Sequence, residues 1–393
     1  MSKLMHGYST PRQDATEVGP RMPRRPELKA TSDNPSAAAG DGQTARAPYL
    51  DSRFMRACRR EAVDATPVWL MRQAGRYQKE YRALRARMPF LDLCKDPERV
   101  AEVTISATRT IGADAAIIFA DLLLIAEPLG FELTYEKGEG PVLRPPLRRA
   151  ADVDRLKEVK PLDSLNYLMR AIRLTRQELD PALPLIGFAG APFTLASYLI
   201  EGGASRSFRH TKAFMYREPG AWGVLMSHLA RNLAGYVNAQ VEAGVQAVQI
   251  FDTWVGCLGP ADYHEFVLPY SQEMIQGIRR AVPVIHFGVG TGMLLELMRE
   301  AGGDVIGLDA NVELDQAWSR LGANVGVQGN LDPVILYAGQ NLIRSRVQRI
   351  LDQANGRPGH IFNLGHGILP DTPAQHVIDL VKMVHEQSTR RCS

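Results

Sequence analysis

A dense group of cations follows an apolar run early in the chain, in the segment PVWLMRQAGRYQKEYRALR at residues 67–85. Its positive side chains, with Glu80 as the one acid among them, are Arg72, Arg76, Lys79, Arg82 and Arg85. Gly75 lies between the first two arginines and lets the backbone turn or approach a ligand closely. Guanidinium groups bind carboxylates and phosphates through paired, charge-assisted hydrogen bonds. Arg72 and Arg76 therefore predict a ligand with several anionic groups, whereas Lys79 and Arg82 fit a solvated helix face better and Arg85 fits either.

Asp121 is a single carboxylate between two apolar stretches, AAIIFA before it and LLLIAEPLG after it. An ionised carboxylate in such surroundings is costly unless it is paired or solvated by a cavity. The same position, directly after a predicted strand, also suits the N-cap of a helix. Asp121 is therefore a candidate for an electrostatic role in a site, with a helix cap as the alternative.

Hydroxyl and imidazole groups complete the candidate set. In GFAGAPFTLASYLIEGG (187–203), Thr194 and Tyr198 are four residues apart and share a face if the segment is helical. That face presents two hydroxyls to a ligand, or else Tyr198 is an ordinary core residue. His366 lies between two glycines in FNLGHGILPDTP (362–373), which exposes its imidazole to a ligand or simply to solvent.

Several common catalytic groups are missing from these positions. No lysine beyond residue 66 directly follows a strand-like run, so a Schiff-base mechanism lacks its amine. No His, Cys and Asp cluster has the spacing of a metal site, and no nucleophile elbow occurs. The remaining groups suit acid–base chemistry on a polyanion, without a metal or organic cofactor.

Eight short apolar runs alternate with helical patterns and would position these residues. The runs are PVWLM (67–71), AAIIF (115–119), PLIGFAG (184–190), QAVQIFD (246–252), PVIHFG (283–288), DVIGLD (304–309), NVGVQG (324–329) and HIFNLG (360–365). Continuous apolar strands of this kind are typical of a parallel sheet covered on both faces. Eight such units predict a single (β/α)8 TIM-type barrel, with a doubly wound open sheet as the main alternative. The alternating segment 131–147 predicts an inserted hairpin that turns at Gly138 and Gly140.

The barrel predicts that chemistry gathers just after the strand ends. The polar residues expected there are Arg72, Arg76, Asp121, Thr194, Tyr198, Asp252, Thr253, His286, Asp309, Asn330, Asp332, Asn363 and His366. The cations of the first segment would thus lie at the mouth of the barrel.

Composition limits the classes of function. The 393 residues include 46 Lys and Arg against 43 Asp and Glu, a net charge of +3 that argues against a nucleic-acid binder. The four cysteines, Cys58, Cys94, Cys257 and Cys392, are far apart and fit a reducing compartment, so we expect a cytoplasmic protein. We expect no membrane span, because the most apolar run (115–131) is short and carries two acids. Residues 1–46 predict a disordered tail before a barrel at 47–393. A transit peptide is the alternative for this tail, although its five acids argue against one.

Six segments in this order resemble the uroporphyrinogen decarboxylase family over residues 48–390. They are LMRQAGRYQKEYR, FADLLLIAEPLG, GFAGAPFTLASYLIEGG, QIFDTWVG, GVQGNLDP and NLGHGILPDTP. The resemblance implies a (β/α)8 barrel, commonly a homodimer, that removes CO2 from the four acetate side chains of uroporphyrinogen III and gives coproporphyrinogen III, with no cofactor.

The resemblance also assigns roles to residues. It implies catalytic roles for Asp121 and Arg72, with Asp121 stabilising a protonated pyrrole. The residues it implies for substrate binding are Arg72, Gln73, Ala74, Gly75, Arg76, Arg85, Asp121, Tyr198, Thr253 and His366. Thr253 stands where the family often has serine, and it keeps the hydroxyl donor. Water, Arg72 and His366 stay open as the proton donor.

Two other functions remain as alternatives. A methyltransferase of the same superfamily would carry a catalytic zinc and work with a corrinoid protein, but His286 has no cysteine beside it. A non-catalytic tetrapyrrole carrier would keep the arginines and tolerate the loss of Asp121.

Overall fold

A computed structural model describes residues 47–136, 140–279 and 281–389. Within these ranges nine strands form two sheets. The strands are β1 (Ala116–Ile117), β2 (Glu132–Glu136), β3 (Gly140–Arg144), β4 (Leu185–Gly190), β5 (Ala247–Asp252), β6 (Val284–Gly288), β7 (Val305–Gly307), β8 (Gly326–Gln328) and β9 (His360–Ile361). The predicted tail at 1–46 lies outside the described residues.

Seven parallel strands form one curled sheet in the order β1, β4, β5, β6, β7, β8, β9. They correspond to seven of the eight apolar runs of the sequence. The spatial order follows the chain order without a reversal, whereas a doubly wound sheet reverses its order at a switch point. The architecture is therefore of the barrel type.

The eighth predicted strand is present only as a single contact. Val68 forms an isolated parallel bridge with Phe362, and the Phe362 N–H donates to the carbonyl of Pro67 at 2.8 Å. On its other side, Asp114 donates its N–H to the Val68 carbonyl at 2.8 Å and accepts the Val68 N–H on its side chain at 2.7 Å. The run at 67–71 thus lies beside β9 and the residues before β1, but the described sheet has seven strands and not eight.

Helices precede or follow these strands along the described chain. They are α1 (Arg53–Cys58), α2 (Lys79–Arg85), α3 (Phe90–Cys94), α4 (Pro97–Ile111), α5 (Ala126–Leu129), α6 (Pro161–Ser164), α7 (Asn166–Glu178), α8 (Pro192–Glu201), α9 (Arg209–Arg217), α10 (Pro219–Ala243), α11 (Pro260–Phe266), α12 (Leu268–Gly277), α13 (Leu295–Ala301), α14 (Leu314–Leu321), α15 (Gln340–Ala354) and α16 (Ala374–Ser388). Several begin with proline and end before a left-handed glycine, such as α8 before Gly202, as expected of helix ends. Across the described ranges, none of these helices has the length and apolar character that crossing a membrane requires.

The predicted hairpin is confirmed as the antiparallel pair β2–β3, while Gly138 lies outside the described residues. This hairpin is fixed to the end of α8. Leu143 donates its N–H to the Gly202 carbonyl at 2.9 Å, and Leu147 donates to Leu199 at 2.9 Å. A Cβ on Gly203 would lie 2.9 Å from the Pro141 carbonyl oxygen, so glycine permits this close approach.

Candidate active site

One cavity of about 990 Å³ opens at the carboxyl ends of the parallel strands. Its lining includes every residue for which the family resemblance implies substrate binding: Arg72, Gln73, Ala74, Gly75, Arg76, Arg85, Asp121, Tyr198, Thr253 and His366. These residues come from five separate segments of the chain, so the fold alone brings them together.

A buried glutamine holds the arginine loop in place. The Gln73 side chain is 1% exposed and donates to the Thr108 hydroxyl at 3.1 Å and to the Ala115 carbonyl at 3.3 Å. The Tyr77 hydroxyl donates to the Gln73 carbonyl at 2.6 Å. The amide of Gln73 is thus committed to α4 and to the residue before β1, and the loop it anchors presents its neighbours to the cavity.

Arg72 and Arg76 are exposed to the cavity. Within the described residues, neither guanidinium has a hydrogen bond or an ion pair. Arg72 has a φ of +61°, in the left-handed region that non-glycine residues seldom adopt. Its side chain crosses Gly367 so closely that a Cβ there would lie 2.4 Å from the Arg72 Cδ. Two cations are therefore held at the cavity without an anion of their own.

Arg85 is already partly engaged. It donates to the Met88 carbonyl, and its guanidinium lies 5.5 Å from the centre of the Phe90 ring. Arg82, by contrast, donates to the carbonyls of Arg76 and Tyr77 and does not line the cavity. Arg85 thus lies at the cavity and Arg82 braces the loop from outside.

Asp121 follows β1 and lies half-buried in the cavity wall. One carboxylate oxygen accepts the Leu123 N–H at 2.8 Å, and the other accepts the Tyr135 hydroxyl at 2.6 Å. The hydrogen bond from Leu123 closes a local turn. Because α5 begins only at Ala126, Asp121 is not the N-cap of a helix. Burial raises the pKa of Asp121, whereas the bonds from Tyr135 and Leu123 and the charge of Arg72 lower it.

Tyr135 was not identified from the sequence, because nothing in the local pattern links the inserted hairpin to Asp121. It lines the cavity from β2. The next residue, Glu136, also lines the cavity, but it pairs with Arg144 at 2.9 Å on the hairpin surface. The hairpin therefore contributes both a tyrosine partner for Asp121 and one wall of the cavity.

Tyr198 and His366 lie on other sides of the cavity. Burial, together with the negative charge of Asp121, raises the pKa of Tyr198 to about 12. Burial and the adjacent charge of Arg72 lower the pKa of His366. The Nδ1 atom of His366 accepts the Gly367 N–H at 2.8 Å, which leaves Nε2 to carry the proton and act as a donor.

The apolar part of the wall is aromatic, and the sequence reasoning missed it. Besides Tyr135 and Tyr198, the aromatic lining residues are Tyr81, Phe90, Phe119, Phe188, Phe251, Trp254 and Phe287. Phe251 contacts Phe188 and Phe287 edge-on, with centroids 5.7 and 5.9 Å apart. These three rings occupy inward positions of β4, β5 and β6, so the alternation of side chains along the strands was the available signal.

Seven of the polar residues predicted at the strand ends do not line this cavity: Thr194, Asp252, His286, Asp309, Asn330, Asp332 and Asn363. Thr194 and Asp252 instead form a buried pair, with the hydroxyl donating to the carboxylate at 2.9 Å. Burial raises the pKa of Asp252 to about 7. The expectation that Thr194 and Tyr198 present two hydroxyls together is therefore wrong, because Thr194 faces β5.

The expectation that His286 lies at the mouth of the barrel is also wrong. Since Phe287 faces the cavity, the alternation along β6 turns His286 toward the helices, where it is fully buried. Among the described residues neither ring nitrogen has a hydrogen-bond partner of normal geometry. Burial lowers the pKa of His286 to about 4, although the backbone at Met298 and Gly302 opposes the shift.

Several of the other residues fasten loops beneath the cavity. The Asn363 side-chain oxygen accepts the N–H of Met71 at 3.1 Å, which joins the last loop to the arginine loop. The Asn330 amide donates to the carbonyls of Asp309 and Val312 at 2.7 and 2.8 Å. Asp332 caps the turn that follows β8 by accepting the Val334 N–H at 2.9 Å. These residues at the strand ends thus stabilise the loops and do not line the cavity.

Over the described ranges, no group of three or more His, Cys, Asp or Glu residues is arranged to hold a metal ion. Cys58 and Cys94 are buried and Cys257 is partly buried, each as a free thiol. Cys392 lies outside the described residues.

Comparison with known proteins gives a consistent family. The family model described as uroporphyrinogen decarboxylase (URO-D) matches residues 50–387. A protein named uroporphyrinogen decarboxylase from Roseiflexus sp. (strain RS-1) is 53% identical over 343 residues, which cover 86% of this chain and 99% of that protein. Proteins of the same name from Chloroflexus aurantiacus (strain J-10-fl) and Koribacter versatilis are 54% and 51% identical, over 85% and 86% of this chain and 96% and 97% of theirs.

Solved structures show the same architecture at low identity. A methyltransferase from Methanosarcina mazei superposes with a TM-score of 0.73 at 20% identity, covering 86% of this chain and 98% of that one. A B12-independent methionine synthase from Shewanella sp. W3-18-1 gives a TM-score of 0.51 at 11% identity, covering 76% and 89%. At such identities these likenesses describe the fold alone.

Proposed function

The chain belongs to the uroporphyrinogen decarboxylase family, and on this premise we propose that it removes CO2 from the four acetate side chains of uroporphyrinogen III, giving coproporphyrinogen III. It is a carboxy-lyase of porphyrin and haem biosynthesis. Relatives about half identical over nearly their whole length support this activity. The residue roles below are proposals drawn from the geometry of the cavity.

The distribution of charge in the cavity is the observation that carries the proposed mechanism. Arg72 and Arg76 line it without a hydrogen-bonded or ion-paired anion among the described residues, while Asp121 lies in the same wall. Paired hydrogen bonds from a guanidinium to a carboxylate are each worth about 1.5–3 kcal/mol. The arginines therefore suit a substrate that brings its own carboxylates, and the aromatic wall suits its apolar macrocycle.

The chemistry requires an electron sink, and the substrate supplies one. Protonation of the pyrrole α-carbon next to the ring carbon that bears the acetate gives a ring cation, in which the acetate-bearing carbon stays sp2 and conjugated with the C=N+ group. The C–C bond to the carboxylate then breaks, CO2 leaves, and the electron pair enters the cationic ring to form an exocyclic methylene. A proton added to that methylene gives the methyl group, and loss of the first proton from the ring carbon restores the pyrrole.

Asp121 is proposed to stabilise the ring cation. Its carboxylate is fixed by two hydrogen bonds in the cavity wall before substrate arrives, so little reorganisation is needed when positive charge develops. The same oxygens can accept pyrrole N–H groups and orient the macrocycle. His366, whose lowered pKa keeps the imidazole neutral, is proposed to donate a hydrogen bond from Nε2 to a substrate carboxylate and not to act as the resting acid.

The decisive experiment is incubation of the purified protein with uroporphyrinogen III, followed by separation of the oxidised products by carboxyl number. We expect porphyrins with seven, six and five carboxyls to appear on the way to the four-carboxyl product. A tetrapyrrole carrier would bind the substrate and return it unchanged. The zinc methyltransferase alternative predicts stoichiometric zinc, so metal analysis of the same preparation tests it directly.

We further propose that the run at 67–71 acts as the missing strand of a closed (β/α)8 barrel. Trp69 supports this, because its indole N–H donates to Gln328 at 2.8 Å inside the sheet, and Gln328 donates to Gln249 at 2.9 Å. A homodimer and a cytoplasmic location are likewise proposed from the family. Sedimentation velocity tests the dimer, and cell fractionation tests the location.

A further inference from the structure

Among the described residues, the Tyr135 hydroxyl is the one side-chain group hydrogen-bonded to Asp121, and the second donor is the backbone N–H of Leu123. The hydroxyl donates to one carboxylate oxygen at 2.6 Å, a length typical of a bond to an ionised acceptor. We propose that Tyr135 is a positioning residue for Asp121, fixing the orientation of its carboxylate and keeping it ionised, an inference that rests on the proposed decarboxylation.

The ring of Tyr135 is held so that its hydroxyl cannot turn away freely. Phe90 contacts it edge-on with centroids 4.9 Å apart, and Phe90 in turn contacts Phe119 at 6.1 Å. In the hairpin, Tyr135 stands opposite Pro141 in register. Because β3 is bonded to the end of α8, the hairpin carries Tyr135 on a fixed support.

Tyr135 leaves Asp121 able to bind substrate. A carboxylate offers about four acceptor sites on its two oxygens. The structure uses one site on each oxygen, for the Leu123 N–H and for the Tyr135 hydroxyl. The remaining sites are free to accept pyrrole N–H groups without displacing either partner, so positioning and substrate binding can act together.

The charge state of Asp121 depends on all the groups that face it. The titratable groups coupled to it from the surrounding elements are Arg72, Cys94, Tyr135, Tyr167, Tyr198 and Tyr236. Burial raises the pKa of Asp121, and the bonds from Tyr135 and Leu123 and the charge of Arg72 oppose this rise. Loss of the tyrosine bond must therefore raise the pKa further, since a hydrogen bond to the charged form has been removed.

The test is the pH profile of decarboxylation by Tyr135→Phe, which removes the hydroxyl and keeps the ring against Phe90. We expect the acid limb of kcat/KM to move to higher pH by about one unit, because a higher pKa leaves less carboxylate ionised at a given pH. Above that limb, where Asp121 is ionised in both proteins, kcat should be lower than that of wild type by about threefold to tenfold, because the orientation of the carboxylate is no longer fixed. The melting temperature should change little.

Tyr216→Phe is the matched control. Tyr216 donates to Asp262 at the same 2.6 Å, but on the exposed surface and outside the cavity lining. This variant should leave the acid limb in place. In a background of Asp121→Asn, the Tyr135 substitution should have almost no additional effect, because the two residues act through one bond.

An acid limb of Tyr135→Phe that coincides with that of wild type would overturn the inference. If the phenylalanine variant folds poorly, Tyr135→Met offers the same test without the ring. Failure of the proposed function can be distinguished from failure of this inference, because the wild-type protein itself would then not convert uroporphyrinogen III.

Discussion

The charged side chains of the cavity have few hydrogen-bond or ion-pair partners among the described residues. Asp121 has two fixed hydrogen-bond donors and no ion pair among the described residues, while the guanidinium groups of Arg72 and Arg76 have neither a hydrogen bond nor an ion pair there. A half-buried carboxylate with open acceptor sites can stabilise positive charge that appears only during a reaction.

Substitution of Asp121 by asparagine should separate binding from catalysis. Asparagine keeps the shape and can still accept hydrogen bonds, but it carries no charge to stabilise a ring cation. We expect substrate affinity within about tenfold of wild type and turnover lower by a factor of about 10²–10³. Single-turnover kinetics with equilibrium binding measures both, and normal turnover would remove the cation-stabilising role.

Arg72→Lys should raise KM for uroporphyrinogen III by about tenfold. An ammonium is a point charge and cannot reproduce the paired hydrogen bonds of a guanidinium. Arg60→Lys is a suitable control, because Arg60 has a similar φ of +59° but donates to the Asn324 carbonyl and does not line the cavity. An unchanged KM for Arg72→Lys would mean that Arg72 does not bind substrate carboxylates.

At the scale of elements, two glycines allow the loop after β9 to pack closely against neighbouring parts of the site. Gly367 leaves room for the stem of Arg72, and Gly365 lets the last loop approach Ala310, where a Cβ would lie 2.2 Å from a backbone nitrogen. A Cβ on Gly365 would meet backbone atoms, which cannot move aside. A Cβ on Gly367 would instead meet the flexible side chain of Arg72. The loop after β9 therefore controls the direction of Arg72 through Gly367.

Gly367→Ala should impair substrate binding without unfolding the protein. The added methyl would force the Arg72 side chain aside, since it would lie 2.4 Å from Cδ. We expect a rise in KM of about tenfold and a melting temperature within about 3 °C of wild type.

Gly235→Ala in α10 serves as its control. A Cβ at Gly235 meets no atom within 4 Å, and alanine favours a helix interior by about 0.5–1 kcal/mol. KM should be unchanged in this variant. An equal KM in both variants would show that Gly367 does not set the position of Arg72.

At the scale of the whole molecule, burial of titratable groups between the sheet and its helices makes stability depend on pH. Burial lowers the pKa of His286 and of His360 to about 4. Each therefore contributes stability that is present above pH 6.5 and is lost as the pH falls through about 4. Asp252 acts in the opposite sense, because its raised pKa of about 7 makes its contribution disappear as the pH rises from about 4 to 7.

His286→Leu should reduce the loss of stability on acidification. Leucine has no ring to protonate in the unfolded state, and it leaves no unpaired nitrogen in an apolar site. The difference in free energy of unfolding between pH 8 and pH 5 should change by about 2 kcal/mol, in favour of the variant at pH 5. Urea unfolding at both pH values measures it, with His264→Gln, an exposed histidine, as the control.

Much of this protein could be predicted from local sequence. Seven of the eight predicted runs are strands, because continuous apolar residues between polar caps have few alternatives to a parallel sheet. The hairpin was predicted from alternation in the same way. The family was identified from six ordered motifs, and its match over residues 50–387 is independent of any side-chain geometry.

Tertiary structure decided what each polar residue at a strand end does. The sequence placed Asp252, His286 and Thr253 alike near the mouth, but side-chain alternation and helix packing sent the first two into buried layers and only Thr253 to the cavity. Tyr135 became the partner of Asp121 because the hairpin, bonded to the end of α8, brings β2 beside the loop that follows β1. Local pattern fixes which segments are strands, whereas contacts between segments far apart in the chain determine which side chains share a cavity.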